Sequence, residues 1–593
     1  MLLITFIVIG LWVSLFILKT LLATLLRPFG LWHPRFYTQF PRLIPWRPVH
    51  KVWENLRLWY DTEFTNGTRQ TGGWKSTLSS LRMLYFPGDL MLGRARIFGL
   101  PSAQPIGIDP ETTITVFAKA GAGKSNMIKT WLALLDPRRA AVITDPKGEH
   151  YEQVGKAWAR AGRNVHALDL EGKFSGTAKW NPFDEAKLIH EAYGEGALTI
   201  FIDYVVEAIV VKAKGETKPV FPEAARFLAS SVFAFVYMFA PADKRNLDHF
   251  QHLIFHGMDW LKPIDDDPKE EWDAFHYLIV ALSQRTELDG YISRGATEFL
   301  KNGGRTSVAD VLFTLRTALK FLGHKTIKDL TSESTFSFFE LKQRNDMVFI
   351  MGSAQAMAGP LSPFMRLIFE VALYCYEVQP GDIPHKAFFC LDEGPNIGTV
   401  PAISRAGPLL RGSGVQLCMV SLDIPALADA YPGRWKGFIG NSSVTVWMEV
   451  NETDTLNHLV QILGKKTQIA RYRESGVSGI NAKHRTTRED RPLLTPDQVR
   501  RTLARPRGNV IVTMPTGRPL LLKRPDHFKE LPVWLYDPSP DHREKLFRRM
   551  SRGWLAAATR PPEKPAESLP EGGGDNTPEN PSVSAQHASE AAA

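Results

Sequence analysis

The sequence predicts an α/β fold, a mainly parallel sheet with helices on both faces, carrying a long all-helical insertion. Three observations predict it. Short apolar, β-rich runs alternate with helix-compatible stretches from Thr113 to Leu168 and again from Asp346 onward. That rhythm needs crossover helices on the faces of a parallel sheet. The first run ends in a loop of small residues that opens a helix, and the alternation disappears between about Asp184 and Phe338, where the chain reads as mostly helix. With 593 residues the chain is too long for one hydrophobic core, so two or three domains are expected. Apolar content of 44% and charged content of 22% are those of a folded protein, and the net charge of +9 favours anionic partners such as nucleic acid or a phospholipid surface.

The N-terminus, Leu2 to Leu18, is almost wholly apolar, and after Lys19 the run continues to Leu26. Together this is long enough to cross a hydrocarbon core of ~30 Å. No Lys or Arg precedes the run and no small-x-small site ends it, which argues against a cleaved leader. Arg27, Arg35, Arg42, Arg47, Lys51 and Arg57 follow, with Trp32, Trp46, Trp53, Trp59 and Tyr60 suited to an interfacial belt. By the positive-inside rule the bulk of the chain is cytoplasmic. We therefore expect an anchor at 1–26 and a basic, aromatic juxtamembrane segment at 27–85.

Thr113–Phe117 is the strand before the loop Ala118-Lys119-Ala120-Gly121-Ala122-Gly123-Lys124-Ser125, and Asn126–Leu135 is the helix after it. Strand, small-residue loop, Lys-Ser and helix are the context of a phosphate-binding loop. Backbone N–H groups can converge on anionic oxygens only where side chains are tiny. In this reading Lys124 reaches the terminal phosphates, Ser125 holds Mg²⁺, and the helix N-terminus adds partial positive charge. Ala118 stands where the strict pattern has Gly. Ala140–Thr144 and Asn164–Leu168 are the next strands, and the N-terminal portion of a nucleotide-binding domain is placed at 86–183.

In the helical stretch, 184–338, Val308, Leu312, Leu315, Leu319 and Leu322 share one helix face. Arg316 and Lys320 lie on another, read as a solvated flank in preference to a nucleic-acid contact. Lys212–Lys218 reads as an exposed basic loop. The C-terminal portion of the nucleotide-binding domain, 339–535, resumes with the strand Asp346–Met351 and an amphipathic helix carrying Phe364, Leu367, Ile368, Val371 and Cys375.

The strand Ala387–Leu391 then runs straight into Asp392 and Glu393, the other half of a nucleotide site. Asp392 would bind Mg²⁺ and Glu393 would polarise the attacking water as general base. About 270 residues separate Lys124 from Asp392, far more than one or two βα units of ~30 residues. The helical stretch is therefore inserted into the nucleotide-binding domain.

Further strands are Val415–Val420, Val444–Met448 and Asn509–Thr513. Between the last two, Lys465, Lys466, Arg471, Arg473, Lys483, His484, Arg485 and Arg488 form a polar, basic stretch. It reads as a flexible loop, either facing a phosphate backbone or simply solvated. A basic helical segment is expected at 536–560 and a disordered tail at 561–593. Cys375, Cys390 and Cys418 fall in segments read as buried, which indicates a reducing compartment with neither disulfides nor a zinc site.

These pieces, in this order, resemble the coupling-protein family of type IV secretion and conjugation. The similarity runs from the anchor to about Lys523. It is carried by Gly121–Ser125, Asp145-Pro146-Lys147-Gly148-Glu149, Trp180-Asn181-Pro182-Phe183, Leu391-Asp392-Glu393, Arg411-Gly412-Ser413-Gly414, Gly464-Lys465-Lys466-Thr467 and Arg491-Pro492-Leu493-Leu494-Thr495-Pro496. The resemblance implies a RecA-like ATP- and Mg²⁺-dependent motor core with an inserted all-α domain, anchored in the bacterial inner membrane. It implies a homo-hexamer that handles DNA with little sequence preference and brings relaxase–DNA or effector proteins to the secretion channel. In such a ring a neighbour's arginine completes the site; Arg411 matches the family's position, and Arg405 is the alternative. Three departures stand out: Ala118, a single convincing span, and Ser421-Leu422-Asp423 where the family commonly has a Gln, so that no nucleotide sensor is assigned. Two other readings remain open: a substrate receptor acting without obligatory turnover, and a DNA pump unrelated to secretion.

Overall fold

The computed structural model describes residues 74–75, 83–86, 88–97, 100–109, 113–211, 220–258, 274–302, 305–380, 386–406, 410, 412–473, 484–531 and 535–537. The expectations for 1–26, 212–218 and 561–593, and nearly all of those for 27–85 and 536–560, lie outside these residues. None of the described helices is long and apolar enough to cross a membrane.

Strands β1 (Leu90–Ile97), β2 (Leu100–Ile108), β3 (Ile114–Ala118), β4 (Ala141–Asp145), β5 (Val165–Asp169), β6 (Met347–Met351) and β7 (Ala387–Leu391) are followed by β8 (Val415–Ser421) and β9 (Val444–Met448). Then come β10 (Lys465–Arg473), β11 (His484–Pro492), β12 (Asn509–Thr513) and β13 (Leu520–Lys523). Eleven of them form one sheet in the order β2-β1-β13-β12-β9-β3-β8-β7-β4-β6-β5, while β10 and β11 pair separately. From β9 to β5 every neighbour is parallel; β12, β13, β1 and β2 extend the sheet by antiparallel pairing.

The parallel strands read as continuous apolar runs because both faces are covered. Val142 and Phe389 enter one core and Ile143 and Cys390 the other, and β3, β4, β6, β7, β8 and β9 are buried along their whole length. All three cysteines are buried free thiols.

The expected helical stretch leaves after β5 and returns before β6, with no strand between them among the described residues. Its two ends meet at a neck. Trp180 N donates to Leu330 O at 2.8 Å, Thr335 N to Lys179 O at 3.0 Å, and Asn181 N to Ser334 Oγ at 2.9 Å. The Trp180–Phe183 motif is explained here. The Asn181 side chain caps the helix Pro182–Ile209, Pro182 opens it, and Phe183 stacks on Phe233 at 4.0 Å. Glu185 locks the neck from inside. Buried at 1% exposure, it accepts from Trp180 Nε1 at 3.0 Å, Ser337 Oγ at 2.7 Å, Phe338 N at 2.6 Å and Phe339 N at 3.1 Å. Burial still pushes its carboxyl above the ordinary range, against the pull of those donors.

A second link joins the insertion to the sheet layer. Glu370, on the helix Ser362–Val378, accepts from Ala402 N at 2.8 Å and pairs with Arg405. Arg405 also pairs with Glu207 of the insertion's first helix and lies 4.8 Å from the Tyr204 ring. Burial pushes the Glu370 carboxyl up to about 7.

Three expectations are corrected. The helix expected through Leu322 ends at Ala318, and Lys320–Gly323 forms a 3₁₀ turn. Arg316 is packed in this region, donating to Phe255 O at 3.2 Å and facing the Phe255 ring, so it holds two helices together. The basic stretch after Gly464 is, where described, a ribbon of two paired strands, from Lys465 opposite Pro492 to Arg473 opposite His484. β-branched and aromatic residues such as Ile469, Tyr472, Thr486 and Thr487 favour strand over loop there.

Glu185→Ala leaves four buried donors without an acceptor, and we expect a loss of about 3–5 kcal/mol in urea unfolding. Glu370, with its folded pKa raised above the unfolded value of 4.5, contributes stability that is full below 4.5 and lost as pH rises through about 7. Glu370→Gln removes that loss, so the variant's thermal midpoint relative to wild type should rise between about pH 5 and pH 8. A difference independent of pH would contradict it.

Candidate functional site

The loop between β3 and the helix Lys124–Ala133 is shaped by its glycines. Gly121 and Gly123 hold φ of 79° and 88°, a region open to glycine at little cost. Gly123 is the N-cap and no side chain caps the helix, so its first amides are left to another acceptor. Ala118 is the last residue of β3, buried and extended, so nothing there demands glycine. Lys119, Ala120 and Gly121 are exposed at the crest, Ala122 and Lys124 are buried, and Ser125 is half-buried.

β7 delivers Asp392 and Glu393 to the same edge, since β8 pairs with both β3 and β7 in parallel register. Lys124 Nζ lies 2.7 Å from Glu393 Oε1 and 3.1 Å from Asp392 Oδ1, joining residues 269 positions apart. The two halves read from the sequence are therefore one cluster. Glu393 sits at φ 59°, the left-handed region, a strain that aims its side chain at the loop and is kept by the surrounding turn. Asn396 Nδ2 donates to its other oxygen at 3.3 Å.

Burial disfavours the charge on Lys124, but Asp392 and Glu393 outweigh it and hold the ammonium above its ordinary pKa. Asp392 is likewise penalised by burial, yet the hydrogen bond from His150 and the charge of Lys124 hold its carboxyl below the ordinary range.

His150 was not singled out by the sequence, and its Nε2 lies 3.3 Å from Asp392 Oδ2. Thr144, at the end of β4, donates to Asp392 O at 2.9 Å. The turn Asp145–Glu149 brings His150 there. Asp145 Oδ2 accepts from Tyr151 N at 2.9 Å, and Glu149 pairs with Lys129 at 2.8 Å. Gly148, at φ 67°, packs on Phe174, where an added Cβ would fall 2.5 Å from the ring. The position of His150 one residue past this motif was the available signal.

Two arginines were also missed. Arg524 donates to the Ala122 carbonyl, and Arg505 Nη1 lies 3.7 Å from where a Cβ on Gly121 would be. Lys119 Nζ reaches Glu449 Oε1, after β9, at 3.4 Å. Of the remaining candidates, Arg411 lies outside the described residues, and Arg405 is held by Glu207 and Glu370 of its own chain. Ser421 Oγ donates to Asp423 O at 2.7 Å, and Asp423 caps the helix Ile424–Ala430. Those two residues have a structural task.

A buried cation beside two carboxylates, under a glycine-shaped loop at a helix N-terminus, can exchange its acid partners for phosphate oxygens. Residues 107–552 match the family model described as type IV secretory system conjugative DNA transfer. The conjugal transfer protein TraG of Escherichia coli is 23% identical over 420 residues, which span 66% of this chain and 61% of that protein. Among solved structures, the conjugative coupling protein TrwB, lacking its first 70 residues and in complex with sulphate, has a TM-score of 0.52. It is 14% identical and the match covers 77% of this chain and 96% of that one. TrwB with the non-hydrolysable ATP analogue ADPNP matches with a TM-score of 0.51, 14% identity, and coverage of 77% and 95%. TrwB with ADP and Mg²⁺ does so with 0.52, 14%, 77% and 96%. These structures share the fold. Since its family model covers three quarters of the sequence, the chain belongs to the type IV secretory conjugative DNA transfer family.

Proposed function

We propose that the protein is a membrane-anchored ATPase that couples DNA, as relaxase–DNA complex, or effector proteins to a type IV secretion channel. The observation that carries this reading is the 2.7 Å contact between Lys124 and Glu393. It assembles a loop, a cation and an acid pair that have no other evident purpose at one sheet edge. Family membership and the nucleotide complexes of TrwB support it.

In this reading the loop amides of Ala118–Ser125 and the first turn of the helix receive the phosphates, and Lys124 turns from Glu393 to the terminal phosphate oxygens. That exchange frees Glu393 to accept a proton from the attacking water. Ser125 and Asp392 fit Mg²⁺, being a hydroxyl and a carboxylate held in the charged form; the ion, when bound, neutralises phosphate charge. His150 and Thr144 fix the orientation of Asp392. The RecA-like core would act as a hexamer in the inner membrane, anchored through 1–26, with Arg411 of one subunit reaching the nucleotide of the next. The net charge of +9 suits DNA held through its phosphates without sequence preference.

Lys124→Ala and Glu393→Gln should each lower ATP turnover by a factor on the order of 10²–10⁴, Glu393→Gln with nucleotide binding retained. Conjugative transfer should fail in both. Normal transfer in an ATP-binding Glu393→Gln strain would instead establish a receptor without turnover. ATPase activity should rise with DNA, and DNA affinity should fall by about 10³-fold or more between 50 and 200 mM salt if six or more phosphates are contacted. Salt-independent affinity would point to a protein-only substrate.

A further inference from the structure

The last two strands of the sheet bring a second set of cations to the phosphate loop. Ala118, where the loop leaves β3, is paired with Met448 of β9. Trp447 of β9 is paired with Ile511 of β12, and Asn509 of β12 with Lys523 of β13. The start of β12 and the end of β13 therefore lie on the edge from which the loop departs. The residues flanking them are Arg505 and Arg524.

Arg524 is fixed from its backbone, its N–H donating to Gly508 O at 2.9 Å, and Gly508 itself turns at φ 55°. Its guanidinium reaches the Ala122 carbonyl, and a Cβ on Gly123 would fall 2.6 Å from Nη1. It is half-buried and makes no ion pair among the described residues. Burial lowers its pKa; the charge of Asp526 pulls the other way, Arg505 lowers it further, and Glu449 offsets least. Glu449 is already engaged by Lys119. A guanidinium stays charged at any working pH. A half-buried one whose neighbouring carboxylates make no direct ion pair with it gains from an anion that meets it.

We propose that Arg524, with Arg505 beside it, is a phosphate-binding residue of the nucleotide site, supplied by the same chain that supplies the loop. The proposal rests on the reading of Lys124 as a nucleotide-binding residue. It differs from the role given to Arg411, because it needs no neighbouring subunit. Its specificity is for the polyphosphate: a nucleoside di- or triphosphate gains from the contact, and a monophosphate gains little.

The test is equilibrium binding of fluorescent ATP, ADP and AMP analogues to the full-length, detergent-solubilised protein. Wild type is compared with Lys124→Ala, Arg524→Gln, Arg524→Lys and Arg505→Gln. Loss of one charge-assisted contact predicts that Arg524→Gln weakens ATP and ADP binding about 10- to 100-fold and AMP binding less than about threefold. Arg524→Lys should recover some of the loss, and Arg505→Gln should show a smaller one. ATP affinity within about twofold of wild type in Arg524→Gln, with Lys124→Ala impaired, overturns the role of Arg524 and leaves the site standing. An equal loss for all three nucleotides, with a lowered thermal midpoint and no recovery by lysine, also overturns it, since Arg524 then only supports the loop. A wild-type protein that binds none of the nucleotides removes both readings.

Discussion

The site depends on the insertion leaving the sheet where it entered. Between Lys124 and Glu393 lie 269 positions of chain, yet their side chains are 2.7 Å apart. Such closure requires that the helical excursion add no displacement to the strands on either side of it. The Glu185 carboxylate enforces this. It gathers an indole, a hydroxyl and two backbone amides from both ends of the excursion into one buried acceptor. With the neck shut, β6 takes its place between β4 and β5, and β7 can lie beside β4.

Electrostatics at the sheet edge follow from the same closure. Lys124, Asp392, Glu393 and His150 come from three separate strand ends, and each moderates the cost of burying the others. On that side of the loop one cation is shared between two acids. Arg505 and Arg524 approach from the side of β12 and β13, with Asp526 the larger counter-charge of Arg524, and Glu449 engages Lys119 of the loop. The loop thus lies between that cluster and a second set of cations. An anion placed on it meets positive charge on both sides once Lys124 gives up its acid partners.

Strands with both faces covered are legible in the sequence. Ala387–Leu391, Val444–Met448 and Asn509–Thr513 have the bounds expected of them, because continuous apolar runs closed by polar residues leave little choice of ends. The loop and the acid pair are legible from local chemistry as two halves of one site, and the insertion between them from the length of chain that separates them. What is not legible depends on pairing at a distance. Arg524 follows an ordinary Leu-Leu-Leu-Lys strand, and only the antiparallel turn from β12 to β13 carries it to the loop. The stretches that pair as β10 and β11 are mostly polar and basic in sequence, so no sustained apolar alternation marks them. The helix expected to run to Leu322 keeps its apolar spacing through a 3₁₀ turn, where periodicity no longer reports helix length.

The sheet order also has a consequence for biosynthesis. β3 is the third strand to be made, but its two neighbours, β8 and β9, are encoded about 300 residues later. β4 waits in the same way for β6 and β7. The helical excursion lies between these strands and their partners in the chain and is made before β6. During that interval Ile114–Ala118 and Ala141–Asp145 are apolar strands with both edges unpaired. A ribosome-bound chain of this fold therefore carries two of its most apolar segments unpaired until β6 to β9 have been made.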